Sequence, residues 1–248
     1  MLAVHSLAAH GSASLKVLIR LLGHRVLPVP SLYLNGLTNL PAIRRYRVEF
    51  ASLLASTLEL AALRDQELIL YVGYLGEAAQ ADIIRAQLDL HRDRIRLVLV
   101  DPVTGDHGRI YVPEAVVSVW PDLLAQADWA LPNQTELYLY GQTPAAAPVD
   151  EALDRFAARY PHLHFVATGL DAGAHLRVHL RAGAQRADYE HARTGRNYGD
   201  TGDVFAGHFI RRHLLDGEAA DGAMRAAAMA TADLIAVSAA QGLDDLAI

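Results

Sequence analysis

The sequence predicts a three-layer α/β fold, in which helices cover both faces of a mostly parallel β-sheet. Short apolar runs alternate with longer amphipathic stretches along the 248-residue chain, and this alternation is typical of parallel α/β proteins. The segment Arg96–Val100 is a continuous apolar run after its first residue, as in strands that are buried on both faces. Glycine or polar residues follow the predicted strands, where such folds bind their ligands.

The first half of the chain repeats a strand–helix rhythm. Its predicted strands are Leu2–Ser6, His24–Pro30, Glu67–Val72 and Arg96–Val100. Its predicted helices are Ser12–Leu22, Pro41–Leu63 and Glu77–His91. Ser12 is a plausible N-cap because a serine hydroxyl accepts from a free N–H of the first helical turn. Pro28 and Pro30 are expected to end the second strand, since proline donates no hydrogen bond to a sheet.

The second half continues the same rhythm. Its predicted strands are Asp128–Leu131, Leu163–Thr168 and a hairpin-like pair, His175–Leu180 and Gln185–Glu190. One predicted helix begins at Pro132-Asn133, and three more cover Val149–Tyr160, Thr201–Leu215 and Glu218–Ala240. The best linker candidate, Gln142–Pro148, is short enough to be a surface loop. We therefore expect a single domain over residues 1–248.

Composition excludes several classes of protein. Hydrophobic residues make up 52% of the chain and charged residues 20%, which is typical of a globular protein rather than a disordered one. Lys and Arg number 22 against 28 Asp and Glu, so the net charge is −6. This charge disfavours nucleic-acid binding, and we interpret the basic run Arg44, Arg45 and Arg47 as a solvated surface.

The absence of cysteine excludes disulfides, thiolate zinc sites and a cysteine nucleophile. No uninterrupted apolar run reaches about eighteen residues, the length needed to cross a membrane. The first residues also lack the pattern of a basic leader followed by an apolar stretch. A cytoplasmic protein without a membrane partner is therefore the expectation.

Two acidic segments follow predicted strands. Asp101 begins the segment Asp-Pro-Val-Thr-Gly-Asp directly after the clearest strand, where a carboxylate would point into the ligand crevice. An Asx turn with no chemistry explains this segment equally well. Asn133 and Glu136 follow the next strand. Their spacing is that of a helix capping box, and it also suits a glutamate that organises a cation through water.

The sharpest signal is the segment Gly199–Gly207, Gly-Asp-Thr-Gly-Asp-Val-Phe-Ala-Gly. Small residues here open a predicted helix, and the unpaired N–H groups of such a terminus bind anions such as phosphate. Asp203 lies in the first turn of that helix. An acid there commonly stabilises the helix dipole, but beside an anion cradle it can also deprotonate an attacking hydroxyl.

In this order, the motifs resemble the ribokinase-like kinases, specifically the branch that phosphorylates vitamin B6 compounds. The resemblance covers nearly the whole chain, and Gly-Tyr-Leu-Gly, Asp-Pro-Val-x-Gly-Asp and Pro-Asn-x-x-Glu carry its specificity. The matching segments are Ala3–Ser6, Gly11–Leu15, Val29–Ser31 leading to Thr38, Gly73–Gly76, Asp101–Asp106, Leu131–Leu137, Ala167–Gly169 and Thr201–Asp203.

The resemblance implies a three-layer ribokinase-like fold and an ATP- and Mg²⁺-dependent transfer of phosphate to the 5′-hydroxymethyl group of pyridoxal, pyridoxamine or pyridoxine. It implies that Asp203 is the general base and that Gly202 and Thr201 belong to the anion hole. It also implies a homodimer and leaves open whether a monovalent cation assists. The remaining implied roles are metal and phosphate network for Asp101 and Glu136, ATP contacts for Asn133, Thr168 and Gly169, and substrate pocket for Ser6, Thr38 and Tyr74.

Three departures from the family pattern cluster at this site. The family usually reads Gly-Thr-Gly-Asp, whereas this chain has Asp200 before Thr201, by replacement or by an insertion after Gly199. Two like charges about 4 Å apart cost about 4 kcal/mol at an effective dielectric constant of 20, so a phosphate beside Asp200 would be disfavoured. Leu37 also stands where the family has a histidine, and the segment Gly36–Tyr46 looks shorter than the usual flap.

Other interpretations stay open at the level of sequence. A kinase for hydroxymethylpyrimidine or a similar alcohol would use the same fold. A catalytically impaired relative that binds a vitamer or nucleotide is favoured only by Asp200. A zinc site is a weak further alternative, since the chain has twelve scattered histidines; its candidate ligands are His162, His164, His175 and His179.

Overall fold

A nine-stranded sheet organises the computed structural model, which describes residues 1–36, 42–193 and 198–248. Within these ranges the strands are β1 (Leu2–Ala8), β2 (Leu27–Leu34), β3 (Arg45–Tyr46), β4 (Leu68–Val72), β5 (Ile95–Val100), β6 (Gly105–Asp106), β7 (Arg109–Ile110), β8 (Trp129–Ala130), β9 (His164–Ala172), β10 (His175–Ala182) and β11 (Gln185–Ala192). The order in the sheet is β11-β10-β9-β8-β5-β4-β1-β2-β3, and β6 and β7 form a separate hairpin.

The sheet is parallel through its centre and antiparallel at both margins. Strands β9, β8, β5, β4, β1 and β2 pair in parallel, while β10, β11 and β3 run antiparallel to their neighbours. The predicted α/β fold with a mostly parallel sheet is therefore confirmed, as is the hairpin-like pair at its end.

Helices cover both faces of this sheet. In the described ranges they are α1 (Leu15–Leu22), α2 (Phe50–Leu63), α3 (Ala79–Leu90), α4 (Glu114–Val117), α5 (Trp120–Leu124), α6 (Gln134–Tyr140), α7 (Val149–Arg159), α8 (Thr201–Phe209) and α9 (Ala220–Ala240). A π-helical segment, Ile210–Leu215, continues α8.

Alternation along the strands divides the apolar side chains between two cores. In β4, Leu68, Leu70 and Val72 pack with α2, α3, α6 and α7, whereas Ile69 and Tyr71 pack with α1, α8 and α9. This is the arrangement expected when successive side chains of a strand point to opposite faces of a sheet. The two cores are the physical basis of the three layers.

Helix α9 is, by length and composition, the one described helix apolar enough to cross a membrane. Its buried side chains, among them Ala223, Met224 and Ala227, belong to the core beneath α1 and α8. The helix also contacts β10 and β11. This packing accounts for the apolar side chains on the buried face of the helix, which is about 33% of its most apolar window.

Several predicted elements differ from the structure at their boundaries, and the local interactions explain three of these differences. Strand β2 continues past Pro28 and Pro30 to Leu34, because its outer neighbour β3 pairs only with Tyr33 and Leu34 and the prolines face an open edge.

The predicted helix from Pro41 begins only at Phe50, and Arg45–Tyr46 form β3 instead. The Asn35 side chain accepts from the Arg44 N–H and donates to the Ala42 carbonyl. Such side-chain bonds to the backbone compete with helix formation.

The predicted cap at Ser12 is wrong. Helix α1 begins at Leu15 with Ser14 in the capping position, and the Ser12 hydroxyl donates to Asp200 instead. The N–H groups of Lys16 and Val17, which a capping side chain would serve, donate to the Ala13 and Ser14 carbonyls, so α1 begins without a side-chain cap.

Close packing of α1 against α8 depends on Gly207. A Cβ at this position would lie 2.6 Å from Leu21 Cδ1, and α8 carries Asp203 toward the start of α1. We predict that Gly207→Val lowers the free energy of unfolding by about 1–3 kcal/mol and reduces binding and turnover at the site. Denaturant unfolding measures the first effect.

The control is Gly222→Ala in α9, where a Cβ meets only the flexible end of Glu218. Because alanine is the better helix former, this variant should keep or raise stability by about 0.5–1 kcal/mol. Equal losses in both variants would contradict the packing role of Gly207.

Candidate active site

The carboxyl edge of the parallel strands gathers the polar residues that the sequence singled out. Ser6 lies near the end of β1, and Asp101 directly follows β5. Asn133 follows β8 and forms an isolated parallel bridge with Thr168 of β9. Asp101 and Asn133 thus lie just after their strands as predicted, whereas Ser6 and Thr168 lie within β1 and β9, which extend further than the sequence indicated.

Asp203 lies where α8, α1 and β1 meet. Its Oδ2 accepts a 2.7 Å hydrogen bond from the Ser14 N–H, and its Oδ1 lies 3.2 Å from His5 Nε2. Its side chain is 11% exposed. One carboxylate oxygen is thus held by the start of α1, while the other faces the end of β1.

Ser14 adopts an uncommon backbone conformation to make this contact. Its φ is 59° and its ψ is −129°, in a region that residues with a side chain seldom occupy. Its hydroxyl also shares a 2.7 Å hydrogen bond with the Ser6 hydroxyl. The Ser14 hydroxyl thus bonds to β1 and the Ser14 N–H bonds to α8. These two hydrogen bonds explain how the strained conformation is maintained.

Tyr74, a predicted pocket residue, lies beside this cluster. Its ring stacks on His5 with centroids 6.5 Å apart, and its carbonyl accepts from the Ser31 hydroxyl at 2.6 Å. Burial raises the pKa of the Tyr74 phenol. Its ring is largely enclosed by protein. Tyr74 therefore contributes to the site mainly by supporting His5, on which its ring stacks.

Asp101 is buried next to Asp203. The Tyr71 hydroxyl donates a 3.1 Å hydrogen bond to Asp101 Oδ2. Burial, together with the charge of Asp203, raises the pKa of Asp101 to about 7. A carboxyl group in this state exchanges a proton near neutral pH, and a cation nearby would favour its charged form.

Glu136 forms the capping box that its spacing predicted. Its oxygens accept from the Thr104 and Asn133 N–H groups at 2.9 and 3.0 Å, and the Asn133 side chain accepts from the Glu136 N–H. Burial, followed by the charge of Asp101, raises its pKa. Since both oxygens already hold N–H groups, Glu136 can act on a cation most readily through water.

Direct metal ligation has a limited basis in this arrangement. In residues 1–36, 42–193 and 198–248, no group of three or more His, Asp or Glu side chains is placed to hold a metal ion. On the sheet margin, His164 Nδ1 accepts from the Gly183 N–H and His179 pairs with Asp188. The described histidines therefore form no cluster of three or more ligands of the kind that the zinc interpretation requires.

Among the described residues, nothing fills the space beside the N-terminus of helix α8. Thr201 is its first residue, and a Cβ added at Gly199 or Gly202 would meet no atom within 4 Å. The N–H groups of a first helical turn have no partner within the helix. The start of α8, with Asp203 in its first turn, can therefore receive an anion beside a carboxylate.

Asp200 does not lie over this opening. Its side chain is buried, and its Oδ2 accepts a 3.0 Å hydrogen bond from the Ser12 hydroxyl. Ser12 also lies 3.4 Å from the Leu246 carbonyl, so Asp200 points toward the C-terminal segment. Burial raises its pKa to about 6, against the effect of the Ser12 hydrogen bond. The repulsion expected between Asp200 and a phosphate is reduced by this orientation.

Two site expectations cannot be placed. Leu37 and Thr38 lie outside the described residues, together with the rest of the stretch 37–41 of the proposed flap Gly36–Tyr46. Of the other predicted residues, Gly169 has a φ of 62° within β9, and Thr168 is half-buried beside Asn133. Their assignment to ATP contacts stays a prediction.

Sequence reasoning missed four residues that organise the site: His5, Ser14, Tyr71 and Thr104. A histidine inside the apolar run Leu2–Val4 and Leu7–Ala8 was an available signal for the first. Ser14 and Thr104 lie within the matching motifs Gly11–Leu15 and Asp101–Asp106, but their roles, like that of Tyr71, depend on contacts between distant elements.

Several solved kinase structures are similar to this chain over nearly its whole length. Pyridoxal kinase from Lactobacillus plantarum has a TM-score of 0.85 and 24% identity, covering 99% of this chain and 90% of that chain. Pyridoxal kinase from Leishmania donovani, in complex with ADP and pyridoxine, has a TM-score of 0.83 and 24% identity over 97% and 87% of the two chains. A candidate phosphomethylpyrimidine kinase from Bacteroides thetaiotaomicron, crystallised with pyridoxal, gives 0.82 and 24% over 96% and 87%.

These similarities show that the chain has the ribokinase-like fold, and the fold implied by the sequence motifs is thereby confirmed. No protein-family model matches the chain, and no curated protein matches its sequence.

The raised pKa of Asp200 predicts a stability effect with a defined sign. From about pH 4 to 6 the folded state holds a proton that the unfolded state has released, so wild-type stability falls as pH rises through this window. Asp200→Asn keeps an acceptor for Ser12 and carries no charge. We compare the free energy of unfolding of this variant with that of wild type at each pH. The difference should be about 1–2 kcal/mol more favourable to the variant at pH 8 than at pH 4, after allowance for solvent screening.

Urea unfolding at pH 4, 6 and 8 measures this difference. Asp216→Asn is the control, because the Arg25 guanidinium hydrogen-bonded to Asp216 lowers the pKa of that carboxyl. The stability contributed by a lowered carboxyl pKa is lost only as the pH falls below about 4, so the difference between this control and wild type should stay nearly constant from pH 4 to 8. A pH-independent difference for Asp200→Asn would contradict the raised pKa.

Proposed function

We propose that this protein is an ATP-dependent kinase that phosphorylates the 5′-hydroxymethyl group of pyridoxal or a related B6 vitamer. The observation that carries the proposal is the position of Asp203 in the first turn of α8, at a helix N-terminus beside which no described residue fills the space. A base and an anion-binding terminus on one helical turn are the two elements that phosphoryl transfer to an alcohol requires.

In the proposed reaction, Asp203 accepts the proton of the substrate hydroxyl as its oxygen attacks the γ-phosphorus of ATP. The bond from that phosphorus to the β–γ bridging oxygen breaks, and ADP leaves with that oxygen. The N–H groups of Thr201, Gly202 and Asp203 would stabilise the charge of the transferring group. Positioning and charge stabilisation, rather than covalent chemistry by the protein, account for catalysis of this kind.

The acidic network fits a divalent cation by its charge. Asp101 and Glu136 are buried carboxylates whose pKa values are raised by burial and by neighbouring acids. Glu136 would hold Mg²⁺ through water, because backbone N–H groups already occupy both of its oxygens, whereas Tyr71 occupies only Oδ2 of Asp101. When bound, Mg²⁺ would supply neutralisation of the phosphate charge.

Nucleotide and vitamer would meet at this edge of the sheet. We assign the phosphates of ATP to Asn133, Thr168 and Gly169, beside the capping box. Ser6 and Tyr74 would border the vitamer on the side of β1 and Asp203. The full assignment of the pocket includes Thr38, which the sequence motif supports. Cytoplasmic location and a homodimer are further parts of the proposal that rest on the resemblance.

A second candidate substrate is hydroxymethylpyrimidine. The candidate phosphomethylpyrimidine kinase has the same fold as this chain, and both substrate classes present a hydroxymethyl group on an aromatic ring. Leu37 in place of the family histidine also weakens the preference for pyridoxal. The choice between the two rings therefore needs a direct measurement.

An ADP-release assay with ATP and Mg²⁺ makes that measurement. Pyridoxal, pyridoxamine, pyridoxine and hydroxymethylpyrimidine are assayed in parallel, and we expect the highest kcat/KM with a B6 vitamer. Higher kcat/KM with the pyrimidine would favour the second candidate. No turnover with any of them, from folded protein that still binds ATP in calorimetry, would overturn the kinase proposal and favour an impaired relative.

Asp203→Asn tests the base. The variant keeps the size of the side chain but cannot take a proton, so kcat should fall at least 100-fold. The Kd of ATP, measured by calorimetry, should change by less than about threefold. Asp221→Asn, in the first turn of α9, is the matched control and should leave kcat unchanged. Near-normal turnover of Asp203→Asn would refute the assignment.

Asp200→Gly tests whether this carboxylate impairs the site. Because Asp200 is directed at Ser12, the variant should have a kcat within about threefold of wild type. A gain of tenfold or more would show that Asp200 repels the phosphate and would favour the impaired relative.

A further inference from the structure

We propose that His5 is a positioning residue that orients the Asp203 carboxylate through its Nε2–H group. The inference rests on the proposed role of Asp203 as the base. His5 belongs to β1, whereas Asp203 belongs to α8. The contact would therefore tie the proposed base to the central sheet.

The hydrogen bonds of His5 define which nitrogen carries its proton. Its Nδ1 accepts a 2.9 Å hydrogen bond from the Ser6 N–H, so in the neutral ring the proton is on Nε2. This Nε2 lies 3.2 Å from Asp203 Oδ1. A donor and an acceptor therefore face each other at hydrogen-bond distance.

The contact is not aligned as a hydrogen bond. Nε2 is buried and has no hydrogen-bond partner among the described residues. A buried donor left without an acceptor destabilises the folded state, and the nearest carboxylate oxygen is that of Asp203. Catalytic hydrogen bonds often become aligned only when substrate binds, which is the behaviour that we assign to this pair.

The surroundings of His5 hold its ring in this position. The ring is 3% exposed and stacks on Tyr71 at 6.1 Å and on Tyr74 at 6.5 Å. On another side, a Cβ at Gly73 would lie 2.0 Å from His5 Cδ2. The ring therefore occupies space that only a glycine at position 73 leaves free.

Two donors would then fix the Asp203 carboxylate. The Ser14 N–H holds Oδ2 at 2.7 Å, and the His5 Nε2–H faces Oδ1. The terminal torsion of an aspartate is otherwise broad, so a single donor leaves the plane of the carboxylate free to rotate. The second donor restricts that rotation and keeps a lone pair directed at the substrate hydroxyl.

Variants at His5 separate this role from simple packing. His5→Leu removes the donor and should lower kcat at least tenfold while KM for ATP and for the vitamer changes by less than about threefold. His5→Gln retains an N–H donor of similar reach and should recover at least one third of wild-type kcat. Equal losses in both variants, or a loss confined to KM, would overturn the proposal.

The matched control is His208→Gln, which changes a half-buried histidine of α8 beyond its first turns. It should retain wild-type kcat. A double-mutant cycle adds a sharper test: in the Asp203→Asn background, His5→Leu should lower the residual kcat by less than twofold. A further tenfold loss there would show that His5 acts independently of Asp203 and would overturn the proposal.

A spectroscopic measurement tests the contact without turnover. In ¹⁵N-histidine-labelled protein, the His5 signals are identified by their loss in His5→Gln. We expect the Nε2-protonated tautomer, and a shift of its Nε2 resonance in Asp203→Asn. Protonation at Nδ1, or signals insensitive to Asp203→Asn, would overturn the proposal. Absence of turnover in the ADP-release assay would instead overturn the proposed function.

Discussion

Burial of several carboxylates at one edge of the sheet is the constraint on which the site depends. Asp101, Glu136, Asp200 and Asp203 lie at or next to the carboxyl ends of the strands, and burial raises the pKa of the first three. Concentrated negative charge of this kind opposes folding unless donors surround it. The fold supplies mostly neutral donors: Tyr71, Ser12, and backbone N–H groups of Ser14, Thr104 and Asn133.

Neutral donors have a chemical advantage at such a site. An arginine or lysine paired with each carboxylate would stabilise the protein more simply, but it would also satisfy the charge that a bound cation is meant to balance. Hydrogen bonds from hydroxyl and N–H groups hold the oxygens in place and leave the net negative charge. The arrangement around Asp101 and Glu136 thus keeps the site suited to Mg²⁺ and phosphate together.

Much of the fold and part of the site could be predicted from the sequence. Apolar runs such as β4 and β5 and the periodic helix α7 were predicted to within two residues, because burial on a sheet leaves a strong pattern. The capping box of Asn133 and Glu136 was also predictable, since it depends on four neighbouring residues. The strained Ser14 and the Tyr71–Asp101 bond were not, because they join segments that are distant in sequence. The two-residue strand β3 leaves too short a pattern to recognise.

The fit of His5 against Gly73 has a consequence for how this site can change over time. The His5 ring occupies the volume that a side chain at position 73 would need, since a methyl group on Gly73 would overlap the imidazole. Neither position can vary freely while the other is fixed. In homologous chains the two should change together, with a side chain at 73 accompanied by a smaller or differently directed residue at 5.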